Sequence, residues 1–337
     1  MKDRSRRDFL KVAGAGTLTA AILHYPADAA EFVYKFGNNV PNDFTLNIRI
    51  REAAARILQK TSGRFQLQDF PAGQLGSDTD MLSQVRAGAI QFYTPSGSGL
   101  STAVPVAAIN ALGFAFKDYS QVWPAMDGKL GDLIRAQIEA VGLHPIPKMF
   151  DIGFREITSG ANPITSPESL HGFKIRVPPS SLSVSLFRAL GASPSTLNFS
   201  EVYTALQTRL VDGQENPLSI IETVKFYEVQ KYVALTNHQW DGWWMLANGA
   251  AWKKLPAKIA DIVTEELNRA AEEERKDVAA LNGSLLSKLE AQGMKANTPS
   301  TEAFRTALAK TDFYAKWRKT FGDEAWQMLE GYVGKLG

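Results

Sequence analysis

Gly172-Phe-Lys-Ile-Arg176-Val-Pro-Pro179, followed by an amphipathic segment and then by Leu210-Val-Asp-Gly-Gln-Glu-Asn216-Pro217, is the stretch on which the reading of this 337-residue chain turns. An arginine inside a short apolar run that ends at a proline pair reads as a strand residue, and a guanidinium so placed must reach solvent or have a partner. A second arginine stands in the same setting, Arg155 in Ile152-Gly-Phe-Arg155. Read alone, each is first an edge residue with a solvated head. The functional alternative is anion binding, because a guanidinium presents a rigid fork of donors that matches a carboxylate bidentately.

Outward from this stretch, short β-rich runs alternate with longer helical ones. Phe32–Phe36 reads as a strand, 43–62 as a helix closed by Gly63, and Arg64–Phe70 as a half-buried strand. Ser77 to Ala87 opens with a Ser77-x-x-Asp80 capping box, and Gln91–Thr94 forms the next strand before the glycine-rich loop Pro95–Gly99. This order predicts an α/β sheet with ligands at the carboxyl ends of its strands. A second lobe is expected to begin near Ile152, with further strands at 232–236 and 243–247. From Leu255 to Gln292 the apolar spacing is helical throughout; at ~1.5 Å per residue such a helix exceeds 50 Å, with Asn282-Gly283 a natural point for a bend.

The amino terminus, Ser5-Arg-Arg7-Asp-Phe-Leu-Lys11 followed by a mildly apolar run to Leu23 and by Ala27-Asp-Ala29, reads as a twin-arginine export signal. Of 37 basic and 35 acidic residues, five basic and three acidic ones fall in this leader, so the remainder is balanced and has no basic face for nucleic acid. Cysteine is absent, which excludes thiol catalysis, disulfides and thiolate metal sites. The histidines are scattered, and neither a His-Glu-x-x-His helix, a Gly-x-Ser-x-Gly elbow nor a phosphate loop occurs, so no enzyme, cofactor or metal is expected.

The whole stretch from Gly172 to Pro217 resembles the DctP-type solute-binding proteins of TRAP (tripartite, ATP-independent periplasmic) transporters. The resemblance implies a two-lobed periplasmic binding protein fold of the α/β class, with a long helix spanning both lobes. It divides the chain into signal 1–29, a first lobe of 30–151 plus about 242–280, and a second lobe of 152–241 plus about 281–337. It also implies that Arg176 grips a substrate carboxylate, that Arg155 and Asn216 complete the donor shell, and that Phe199 packs on the apolar side of the substrate. In the first lobe it points to Asn38 and to Ser96, and in the aromatic crossover to Trp240. The chain departs from the family's sialic-acid binders in having no acid in Pro95–Gly99, and from its metal-dependent keto-acid branch in having Asn216 where that branch has tryptophan. The expected protein is a periplasmic monomer that delivers an organic acid to TRAP membrane subunits. A cofactor enzyme exported by the twin-arginine route and a ligand sensor for a receptor are the alternatives. The apolar crossover and acid-free loop favour a monocarboxylate with a ring or branched body over a sugar acid or a small dicarboxylate.

Overall fold

In the computed structural model, which describes residues 30–336, eleven strands form two sheets. The strands are β1 (Phe32–Gly37), β2 (Phe65–Phe70), β3 (Phe92–Tyr93), β4 (Leu143–Pro145), β5 (Phe150–Ser159), β6 (Lys174–Val177), β7 (Ser193–Thr196), β8 (Gly213–Asn216), β9 (Tyr232–Trp243), β10 (Leu246–Asn248) and β11 (Lys295–Asn297). The first sheet has the order β2-β1-β3-β10-β4 and the second β11-β9-β5-β8-β6-β7. In the first, β1 runs parallel to β2 and β3 while β10 is antiparallel to its neighbours; in the second, β5 is antiparallel to β8 and β9, and β6 is parallel to β7 and β8. The export-signal reading falls on residues 1–29, outside the described residues.

Local signals in the first half act as expected. Ser77 caps the helix Asp78–Ala87, with Asp80 bonding back to the Ser77 amide at 3.0 Å, and Gly88 closes it at φ 80°, a conformation that costs glycine nothing. The long helix Ala257–Ala291 continues through Asn282-Gly283 without interruption. It lies along the helix Thr45–Lys60, held by a bidentate Arg49–Asp277 pair (2.6 and 2.8 Å) and by Lys60–Glu265 at 2.9 Å. It also packs on β5 and β11 of the second sheet and on the helix Leu218–Thr223, so it joins these to the helix that follows β1.

The crossover differs from the expected pair of short strands. One twelve-residue strand, β9, runs from Tyr232 to Trp243, and the chain enters the first sheet only at Leu246. Asn237-His-Gln looks like a loop because it is polar, yet Asn237 takes a φ of 44° as an irregularity inside the strand, and the two polar residues after it are buried with partners. His238 meets Thr236 and Glu215, while Gln239 donates to the Ala111 carbonyl. The chain passes between sheets at 146–149 and 244–245. The terminal helix Asp323–Val333 packs on the helices Tyr119–Met126 and Lys129–Ala140, a contact that no local signal announced.

Candidate functional site

A cavity lies between the sheets at the carboxyl ends of β1, β3, β6 and β8, where Asn39, Ser96, Pro178 and Asn216 line it. Loops leaving parallel strands converge there, which is why ligands of open α/β sheets bind at this edge. The motif that carries Asn216 is explained residue by residue. Asp212 accepts the Lys174 amide at 3.0 Å and so ties β8 to β6. A Cβ on Gly213 would meet the Thr158 carbonyl of β5 at 2.0 Å, so only glycine fits.

Arg176, on β6, is 2 % exposed. Its Nε and Nη2 both donate to the Leu197 carbonyl, at 3.0 and 2.6 Å, whereas Nη1 has no hydrogen-bond partner and no carboxylate forms an ion pair with the guanidinium among the described residues. Burial pushes its pKa down to about 10, the opposite direction to that of a paired arginine. The cavity wall thus carries a desolvated cation without a counter-charge.

Arg155 is different. Its Nε and Nη2 clasp Glu215, with Nη2–Oε1 at 2.9 Å; Nη2 also reaches the Glu215 carbonyl at 2.8 Å and the Asn216 Oδ1 at 3.2 Å. Burial works against the Arg155 charge, but the Glu215 carboxylate holds its pKa above the ordinary value. Burial alone would raise Glu215, and the Arg155 charge with the His238 hydrogen bond instead hold it down to about 2. Burial lowers the pKa of His238, so the ring is neutral; its Nε2–H donates to Glu215 (3.2 Å) while Nδ1 accepts from Thr236 (2.8 Å). Asn216 is held at both ends of its amide, by Arg155 and by its own donation to Gln214 at 2.5 Å. Arg155 is thus charge-paired and Asn216 held at both ends, whereas Arg176 has no carboxylate; among the described residues both arginines leave Nη1 without a hydrogen-bond partner.

Phe199 and Ser96 also line the cavity. Ser96 caps the short helix Gly97–Leu100, and Asp241 of β9 accepts the Gly97 amide at 3.0 Å, which pins the glycine-rich loop to the second sheet. Two expectations need correction. Asn38 faces inward, bonded to Asn47 at 2.7 Å, and its neighbour Asn39 lines the cavity instead. Trp240 is buried against Phe116 and Trp123 and donates to Asp151 at 3.0 Å, whereas Trp243 lines the cavity. Trp240 and Trp243 stand an odd number of residues apart on β9, so their side chains leave opposite sides of it, whereas Asn38 and Asn39 lie just beyond the end of β1.

One lining residue had no signal at all in the sequence. Asp78 lines the same cavity as Arg176; its Oδ2 accepts the Phe199 amide at 2.9 Å and its Oδ1 accepts from Asn39 at 2.5 Å. The capping box accounts for Ser77 and Asp80 and leaves Asp78 as an ordinary first-turn acid. The cavity is thus lined by a cation without an ion-pair partner and by a carboxylate whose charge acts on it against the effect of burial.

Two lobes around such a cleft define a periplasmic-binding-protein-like receptor for a small anion. A family model described as bacterial extracellular solute-binding protein, family 7 (DctP), matches residues 36–319, and the chain belongs to that family. It is 29 % identical over 309 residues to the 2,3-diketo-L-gulonate-binding periplasmic protein YiaO of Escherichia coli, covering 91 % of this chain and 92 % of that one. Among solved structures, a TRAP periplasmic solute-binding protein of Sulfurospirillum deleyianum with bound succinate is similar (TM-score 0.85, 30 % identity, 90 % of this chain and 99 % of that chain). Another, from Roseobacter denitrificans with bound L-galactonate, has a TM-score of 0.84 at 30 % identity and the same coverage. Like its relatives, the protein is a TRAP-type binder of organic acids and not a member of an enzyme class.

Proposed function

We propose that this protein works in the periplasm, exported by the twin-arginine route, as a monomer that captures an organic acid in the interlobe cleft and delivers it to TRAP membrane subunits. The observation that carries the reading is Arg176, buried, without a carboxylate partner and facing the cavity. A ligand carboxylate supplies the missing counter-charge, and the Arg155–Glu215–Asn216 wall keeps the site rigid around it. Neither a cofactor nor a metal has a part in this scheme.

The far wall bears on substrate class. Asp78 would lie near the second charge of a small dicarboxylate, and like charges in a desolvated cleft repel. Its oxygens accept hydrogen bonds, as do hydroxyl oxygens, and they suit the O–H groups of a hydroxy or sugar acid. Trp243 and Ile220 supply the apolar remainder. The acid absent from Pro95–Gly99 is thus replaced by one elsewhere, and the weight moves from a plain ring or branched acid to a hydroxylated monocarboxylate. In a thermal-shift series, gluconate, glucuronate or pantoate should raise the melting temperature more than succinate or benzoylformate at equal concentration. A large response to succinate alone would overturn this assignment.

The bond from Phe199 to Asp78 joins the two sides of the cleft, so this conformation is read as the closed one. Closure around bound acid should be visible in small-angle scattering as a smaller radius of gyration at saturating ligand. The pivots are placed at 146–149 and 244–245, where the chain crosses between sheets. An unchanged radius would count against a hinge.

A further inference from the structure

A second cavity adjoins the first and shares three of its walls, Asn39, Asp78 and Phe199, which are the three residues of the bridge across the cleft. Measured as room for the centre of a water-sized sphere, the inner cavity holds about 60 Å³ and the outer one about 190 Å³. On that measure one water needs at least ~10–15 Å³, so the inner chamber admits a short acid and little more. The outer chamber opens to solvent and is walled by Pro41, Ala72, Tyr203, Val224 and Phe226, with Asp78 the one charged side chain among its lining residues. Of its other polar side chains, Asn39 donates to Asp78, Ser77 donates to Asp80, the Tyr203 hydroxyl donates to Glu228 at 2.6 Å, and Ser200 lies exposed at the rim.

Building on the carboxylate reading of Arg176, we propose that the outer chamber is a second subsite, which takes the apolar distal end of a hydroxylated monocarboxylate too long for the inner chamber. Such a ligand has three parts in the order in which the walls present themselves: a carboxylate at Arg176, a hydroxyl beside Asp78, and a hydrocarbon end against Phe226 and Val224. The apolar walls reward each methylene removed from water, and no group there needs a polar partner from the ligand. The two chambers draw their walls from both lobes, residues 39–41 and 72–78 from one and 199–203 and 224–226 from the other, so a ligand occupying both favours closure.

The test is calorimetric titration of the full chain with 2-hydroxyalkanoates of three to eight carbons. Once the tail reaches the outer chamber, affinity should rise about fourfold per added methylene, the equivalent of ~0.8 kcal/mol. Ser200→Trp places a bulky ring at the exposed rim of that chamber; it should flatten the rise while leaving the affinity for the three-carbon acid within about twofold. A flat series in the wild-type protein, with binding still dependent on Arg176, overturns the outer subsite and leaves the carboxylate reading standing. A rise that Ser200→Trp does not alter also overturns it, because the tail then lies elsewhere. If no member of the series binds and gluconate, glucuronate and succinate fail as well, the carboxylate reading falls and this inference with it.

Discussion

Replacing Arg176 by alanine is expected to remove nearly all affinity for the cognate acid while the protein stays folded. Truncating one partner of a buried, hydrogen-bonded charge pair costs about 2–5 kcal/mol, roughly thirty-fold to several-thousand-fold in Kd. The effect on the stability of the ligand-free protein has the opposite sign. Without ligand the guanidinium is a desolvated cation whose depressed pKa means that folding disfavours its charge. Its removal therefore sheds an electrostatic cost, offset by the cavity left behind and by the loss of two bonds to Leu197. The ligand-free melting temperature should shift by only a few degrees. Arg176→Lys keeps the charge but loses the planar fork, and it should also bind weakly. Titration calorimetry with a matching thermal melt decides the matter: an Arg176→Ala protein that binds the same acid with wild-type affinity removes the arginine from the site.

The largest effect on stability is expected at Glu215. Changing it to alanine strands the Arg155 guanidinium in a fully buried position and takes away the acceptor of His238. Breaking one side of a buried ion pair costs about 3–5 kcal/mol, which for a chain of this size is roughly 5–8 °C in Tm. The pH dependence has a definite sign. A carboxyl held at about 2 when folded, against an ordinary value of 4.5, stabilises the protein fully above the ordinary value and ceases to do so as the pH falls through the folded one. The gap in melting temperature between wild type and Glu215→Ala should therefore be widest near neutrality and close as the pH falls from 4.5 towards 2. Removing both charges with Arg155→Met and Glu215→Leu should recover much of the loss, since an apolar pair of similar volume avoids the desolvation cost. Should Glu215→Ala melt within 2 °C of wild type at pH 7, the ion pair is not a structural element of the wall.

The same pair explains why two arginines that look alike in the sequence have different parts. Both stand in short apolar runs and both resemble anion-binding residues. Their distinction depends on Glu215, sixty residues beyond Arg155 in the chain, which β8 brings beside β5 and which leaves Arg176 without a carboxylate.

Local chemistry determined a good deal by itself. The helix from Ser77 to Gly88 needs only its cap and its glycine, and the long helix only its apolar spacing. Hydrophobic period and turn chemistry act over a few residues, and a reader of the chain sees them directly. Tertiary structure alone decided what faces the cavity. Trp243 rather than Trp240 follows from which side of β9 each side chain leaves, which is set by pairing with β5, and Asn39 rather than Asn38 from the buried bond of Asn38 to Asn47. Asp78 lines the cavity because the fold brings the Phe199 amide to it from 121 residues away. A first-turn acid looks the same in the sequence whether its oxygens meet water or the opposite lobe, because that choice is made by long-range packing and leaves no local trace.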